Sequence, residues 1–445
     1  NNADLTRVVL QEGIEIIGIE AFRECDNLTT IELPESLRSI GVGAFQECSK
    51  LDNVTIPSKV VRINNMTFYN CRNLANIVLS ENLQEIGAHA FDYCVSLEKI
   101  HIPREVKIID DAIFVDCANL IDIEIDKENT KYSYSKENGM LIDLENNNIL
   151  FISGIVLNNI TTFSIPEGIS NFKFSIASYN NITSIIIPES METVLNAQIF
   201  PTTIMNVQVV GNNNNFVVEN GCLYNRNKTN LIMCFTKEKE VELADTVIRV
   251  NDFSFKQATN IENVTFDGNI TTIGTQIFAW NNNTKIQNIY IGAGVTNIDP
   301  IFKYGNYYGT VIVDEANPKY SSENNEIYNK DKTELIGIYH DIKGSYTVKN
   351  SVETIGANVF LSKSGMTEVI LPSKLKEIRT EAFSHCTRLT EIFIPNSVDK
   401  IASNAFFNST NLMHIRIDKA PNTIEGAPWG AISWDRAVEW LRTAE

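Results

Sequence analysis

The chain has 445 residues, a mass of 50.0 kDa and a net charge of −18, with 43% hydrophobic and 21% charged residues. This composition excludes a wholly disordered chain. The acidity excludes nucleic acid and anionic lipid surfaces as partners in the absence of a basic patch, and no run of five Lys or Arg occurs. No run of 18 apolar residues is present, so no transmembrane helix is read. The opening Asn1-Asn2-Ala3-Asp4 has no basic or apolar leader character. A chain whose leader had been removed would read the same way.

From the N-terminus, one pattern returns every 23 residues: Phe22, Phe45, Phe68, Phe91 and Phe114; Cys25, Cys48, Cys71, Cys94 and Cys117; Leu28, Leu51, Leu74, Leu97 and Leu120. Zinc sites use short C-x2-C pairs, which are absent, and an even step of this length indicates a stacked repeat. The Cys slot is therefore read as a small, buried, reduced side chain. Within each unit the segment L-x-x-I-x-I-P alternates, as at Leu28, Ile31 and Leu33, which predicts one short strand ended by proline. The segment V-x-x-I-G-x-x-A-F-x-x-C steps by about three and predicts 3₁₀-like or short helical turns. Neither segment can bury its apolar residues alone, so the units are expected to stack as coils.

Three intrusions lengthen the gaps between Phe slots, with hairpin-bearing insertions near 126–160, 211–240 and 314–346. Each pairs two short apolar runs across a polar turn: Leu141-Ile142 with Ile149-Leu150, Leu223-Tyr224 with Leu231-Ile232, and Ile327-Tyr328 with Leu335-Ile336. Cys222 and Cys234 face each other across the second of these and could bond in a secreted protein. Between them, Ile176 and Phe200 mark degenerate copies, with Tyr179 in a Cys slot. The frame resumes at Phe255, Phe278 and Phe302, then at Phe360, Phe383 and Phe406, with Cys386 in the Cys slot. After Ile417 the pattern breaks, and Trp429, Trp434 and Trp440 cluster in the tail. They suit a cap over the open last coil, with a short helix from Ser433 or a final strand.

The expected architecture is an α/β repeat solenoid: a right-handed leucine-rich-repeat superhelix of about thirteen coils over residues 1–417, with one parallel strand per coil, hairpin insertions and a Trp-rich cap at 418–445. No catalytic, cofactor or metal site is expected. The histidines His89, His101, His340, His385 and His414 are scattered, and His385 precedes a Cys assigned to the core. Glu35, Glu81, Glu167 and Glu189 read as solvated turn charges, and Asn212 to Asn215 and Asn281 to Asn283 as turns. The residue between the two inward positions of each strand points outward. That slot becomes apolar late in the chain, and Tyr290, Ile370, Phe393 and Arg416 form the candidate partner-binding face.

The stretches LPESLRSIGVGAFQECSKLDNVTIP, LSENLQEIGAHAFDYCVSLEKIHIP and LPSKLKEIRTEAFSHCTRLTEIFIP resemble the leucine-rich repeats of the BspA-like type, also described from Treponema surface proteins. The resemblance runs from about residue 5 to 417, and GAPWGA from Gly426 resembles the closing segment of bacterial members. It implies a non-catalytic protein of the bacterial cell surface or exterior that adheres to host proteins, glycans or other cells. The expected form is a monomer without cofactor or membrane insertion. A structural spacer displaying another module is the alternative, and a carbohydrate-active enzyme the remote one.

Overall fold

The structure is a computed structural model that describes residues 4–110, 112–172, 174–194, 197–278, 286–298, 309–421, 423–427, 429–431 and 438–442. Phe302, Ser433, Trp434 and Asn281 to Asn283 lie outside these residues. The chain divides into two compact units: Asn1–Leu195 with Ile199–Thr203 and Gln208–Asn214, and Asn196–Gln198 with Ile204–Val207 and Asn215–Glu445.

In the first unit the alternating segment forms a parallel ladder, with Arg7–Val9, Thr30–Glu32, Asn53–Thr55 and Asn76–Val78 hydrogen-bonded in that order. The register steps by one repeat, Thr30 to Asn53 to Asn76. Ile31, Val54 and Ile77 point inward and are buried. The expectation of one strand per coil is corrected, because a second, two-residue strand lies in the V-x-x-I segment. Ile16–Ile17 pairs with Ser39–Ile40, and Arg62–Ile63, Glu85–Ile86 and Ile108–Ile109 pair in turn. The buried Ile of each pair anchors the extended backbone, and stacking supplies the ladder bonds that a lone unit lacks. The coils touch at the following glycine: a Cβ on Gly41 would lie 2.5 Å from the Gly18 backbone.

The back segment is not helical, which corrects the α part of the expected α/β class. Among the described residues the helices are Gly154–Asn159 and the 3₁₀ turn Ala197–Ile199. The reason is a left-handed residue twice per coil: Glu20, Gly43, Met66, His89 and Ala112, then Glu24, Glu47, Asn70, Tyr93 and Asp116. Their φ values of 53° to 64° end any α-helix within a turn. Alternate N–H groups instead reach the next coil: Gly43 to Asn65 O at 3.0 Å, Phe45 to Thr67 O at 2.9 Å, Glu47 to Tyr69 O at 2.7 Å. The residues between them close three-residue turns, as in Cys48 N to Phe45 O at 3.1 Å. These bonds to the next coil and within the turns offset part of the roughly 1–2 kcal/mol that a left-handed non-glycine residue costs.

The core is a set of columns. Phe22, Phe45, Phe68, Phe91 and Phe114 stack with centroids 5.4 to 5.7 Å apart. In the second unit Phe360, Phe383 and Phe406 stack at 4.8 and 5.4 Å. The Cys column beside them has a polar duty as well as an apolar one. Each thiol donates to the Phe carbonyl of the preceding coil, Cys48 to Phe22, Cys71 to Phe45, Cys94 to Phe68 and Cys117 to Phe91, at 3.0 to 3.2 Å. Burial pushes the Cys48 thiol up to about 12 and holds Cys71 and Cys94 well above the usual thiol range.

Each insertion is a three-stranded antiparallel meander. Tyr132–Ser135, Met140–Asp143 and Asn148–Ile152 form the first. Phe216–Glu219, Cys222–Asn225 and Asn230–Cys234 form the second. Tyr320–Glu323, Glu326–Asn329 and Glu334–Ile338 form the third. The last strand of each rejoins a parallel ladder, for example Leu335 opposite Ile355. A buried Asn begins each one. Asn129, Asn213 and Asn317 donate to carbonyls of the preceding coil, Asn317 to Gly292 and Val295 at 2.8 Å each. In two of them a Tyr three residues on covers the interrupted ladder: Ile109 N–H donates to Tyr132 Oη at 2.9 Å, and Ile298 N–H to Tyr320 Oη at 3.3 Å. Asn213, read from sequence as part of a plain turn, is therefore a core residue.

The tail continues the coil. Trp429 stands 23 residues after Phe406, is fully buried, and accepts from Phe406 N–H at 3.0 Å. Val438–Trp440 is a strand parallel to His414–Ile417. Of the two forms expected for the tail, the described residues take the strand.

Candidate functional site

Period-two alternation along each strand sends one side chain per coil outward. Over residues 7–125 this row reads Val9, Glu32, Thr55, Val78, His101 and Glu124, polar except at Val9 and Val78; later in the first unit it holds Ser164 and the half-buried Ile186. In the second unit Thr265, Tyr290 and Ile312 are aligned on three successive strands. Thr347 is aligned with Ile370, and Phe393 with Arg416 and Glu439.

The structure sorts the four expected contact residues into two kinds. Ile370 and Phe393, on neighbouring strands, are 47% and 49% exposed and present unpartnered apolar surface. Tyr290 was expected in water but is half-buried. Its hydroxyl donates to the Asp314 carboxylate one coil on, which pushes the phenol up to about 12 and draws Asp314 below the usual carboxylate range. The aromatic ring is held by its polar end, so only part of it is available. Arg416 is an ion pair rather than a free cation: its Nε lies 3.4 Å from Glu439, which also takes His414 Nδ1 at 3.0 Å.

Sequence reasoning passed over Ile312, which is 48% exposed beside Tyr290. Its coil precedes the third insertion, where the 23-residue step is lost. The face around Phe393 is bordered by Glu391 on the same side of the strand. The patch is therefore an apolar centre with acidic and paired groups at its edge.

The titratable groups are mostly engaged in the stack. His89 bonds Asp92 at 2.7 Å, His385 bonds the buried Ser384 at 2.8 Å, and His340 contacts Glu326 at 3.3 Å. Glu326 also accepts from the Tyr346 hydroxyl at 2.6 Å and from Tyr328. Glu167, expected as a solvated charge, accepts from the N–H groups of Glu189 and Ser190 in the next coil at 3.2 and 2.9 Å. Glu81, His101 and Asp126 bring one donor atom each to within 4.8 Å of one another. The three come from successive coils, a grouping that no linear motif displays. It faces solvent, and Glu124 lies 3.7 Å from His101 Nδ1.

Among the described residues, two hollows border the insertions. One of about 630 Å³ in the first unit is lined by Phe114, Phe151, Phe174, Tyr179 and a single carboxylate, Asp116. One of about 520 Å³ in the second is lined by Glu219, Glu242 and Asp245 with Arg226 and Lys228. Glu219 there is engaged by Lys228.

The family model for the BspA type leucine rich repeat region matches six copies over residues 1–121, 230–315 and 341–428. No curated protein matches the chain. Solved structures similar to it include a leucine rich cell surface protein from Faecalibacterium prausnitzii A2-165, at 20% identity over 67% of this chain and 73% of that one, with a TM-score of 0.42. A leucine-rich repeat protein from Bacteroides ovatus is 19% identical over 98% and 92%, with a TM-score of 0.30. The leucine rich repeat protein of T. pallidum is 24% identical over 41% and 69%, with a TM-score of 0.27.

Proposed function

Because the chain belongs to the BspA-type leucine-rich repeat family, we propose that it is a non-catalytic protein-binding molecule of the bacterial cell surface or exterior, adhering to host proteins, glycans or other cells. The observation that carries this reading is the adjacent pair Ile370 and Phe393, each about half exposed on a strand face where threonine and charged residues would be stable. The pair sits on paired parallel strands, Ile370 beside Thr347 and Phe393 beside Arg416. A partner would cover the pair without paying to order a loop.

The test is binding to a panel of immobilised matrix proteins and mucin glycans, measured by interferometry, with an unrelated solenoid as control. The double variant Ile370→Ser, Phe393→Ser is compared with the parent after circular dichroism has verified its fold. Loss of at least tenfold in affinity is expected, about 1.4 kcal/mol or more. Unchanged affinity in a folded variant would move the contact to another surface, with the three hairpin insertions next in order. If nothing on the panel binds, the spacer reading gains, since a spacer needs length and stiffness but no contact residues. An enzyme acting on saccharides would need two facing carboxylates; the hollow of the first unit is lined by Asp116 alone, that of the second by Glu219, Glu242 and Asp245, with Glu219 engaged by Lys228.

A further inference from the structure

Six of the eight cysteines occupy the repeated Cys slot, and two do not. Cys222 and Cys234 are direct partners across the second hairpin. Phe235 N–H donates to Gly221 O at 2.8 Å, so the ladder bond brackets the pair instead of joining it. Cys234 N–H turns away, to Ser254 O at 2.6 Å. The pair is therefore of the non-hydrogen-bonded kind, in which Cα atoms approach to about 4.5 Å and side chains are closest. That separation lies within the roughly 4.4 to 6.8 Å that a disulfide spans. Burial first, and then the neighbouring Cys234, raise the Cys222 thiol well above its usual range, and both side chains are buried.

The molecule supplies its own controls. The same paired position is Met140 with Ile152 in the first hairpin and Glu326 with Ile338 in the third, so cysteine stands at both places in one copy of three. The slot cysteines have another use: their thiols donate to Phe carbonyls of the preceding coil.

We propose that Cys222 and Cys234 form a disulfide across the second hairpin when the chain folds in the presence of a disulfide oxidant, while the six slot cysteines remain thiols. One thiolate attacks the oxidant's disulfide, forming a mixed disulfide and releasing one oxidant thiol. The second thiolate then attacks the bound cysteine sulfur and releases the other. Two cysteine thiols are oxidised and one small disulfide is reduced to two thiols, with no other electron acceptor. The two cysteines are close in sequence, so they meet while the chain is still open to the oxidant, before the strand Arg249–Val250 pairs beside the hairpin. Once made, it is sealed from reductants by the same burial.

The experiment refolds the whole chain from guanidinium with a mixture of reduced and oxidised glutathione. Remaining thiols are then blocked with iodoacetamide under denaturing conditions, followed by intact mass and tryptic mapping. The expected product carries six alkyl groups and one bridge, joining the peptide that ends at Arg226 to the one that ends at Lys237. Its melting temperature should exceed that of the protein refolded in dithiothreitol by several degrees. The variant Cys222→Ala, Cys234→Ala should lose that difference and still fold in either buffer. Eight alkylated cysteines after oxidative refolding, or a bridge that uses any slot cysteine, would overturn the proposal.

Discussion

At the scale of the residue, the Cys slot shows how stacking changes the meaning of a side chain. In sequence it is a small apolar position. In the fold its sulfur reaches the Phe carbonyl of the coil before it, and Ser409 does the same work in a late copy, donating to Phe383 O at 2.6 Å. The slot therefore asks for a small side chain with one donor. Cys71→Ser should be tolerated within about 1 kcal/mol, whereas Cys71→Val, which fits the volume but removes the donor and leaves the carbonyl with one partner fewer, should cost about 1–3 kcal/mol. Urea denaturation of the two variants checks this order; equal losses would mean that volume alone governs the slot. The 23-residue spacing made the slot visible, but the acceptor belongs to another coil and has no mark in the local sequence.

Each insertion, taken as an element, solves two problems at once. The buried Asn satisfies carbonyls that the missing coil would have taken, and the meander hands its last strand back to the ladder. The third insertion adds an ionic clasp: Glu323 accepts from Lys332 and Lys349 at 2.5 and 2.6 Å, which holds its carboxyl down at about 2. The folded value lies below the ordinary 4.5, so the clasp stabilises the fold above about pH 4.5 and is lost as pH falls toward 2. The urea midpoint of Glu323→Gln should therefore change less than that of the parent between pH 6 and pH 2.5. Parallel pH curves for the two proteins would show that the clasp contributes nothing. The hairpins themselves were legible as paired apolar runs. Asn129, Asn213 and Asn317 were not, because Asn in a polar stretch reads as a turn until its neighbours across the coil are known.

At the scale of the molecule, coils of the second unit are covered by their successors, as Phe360 by Phe383 and Phe383 by Phe406. Trp429 takes the position that a further Phe would hold, and its indole N–H donates to Glu425 O at 2.7 Å. We propose that it closes the column there. Trp429→Ala should cost roughly 3–5 kcal/mol through transfer and cavity terms. It should also speed hydrogen exchange at the Phe406 amide, which bonds the Trp429 carbonyl. An unchanged exchange rate at Phe406 would leave the tail as an appendage without a covering role.

What the sequence by itself determined is whatever repeats: the period, the Phe, Cys and Leu columns, the alternating strand, the three hairpins and the absence of a long apolar helix. These are patterns of side-chain type along one dimension, and apolar burial enforces them wherever they occur. The tertiary structure decided what depends on partners in other coils. The second strand exists because Ser39–Ile40 finds Ile16–Ile17 beside it. The left-handed pairs replace a helix because their amides bond to the next coil. Tyr290 is tethered because Asp314 lies one strand away, and Arg416 is neutralised because Glu439 returns beside it. In each case the deciding atom is about one coil away in space and some 20 to 25 residues away in sequence. Side-chain period along the chain cannot specify the chemistry met at that distance, and stacking does.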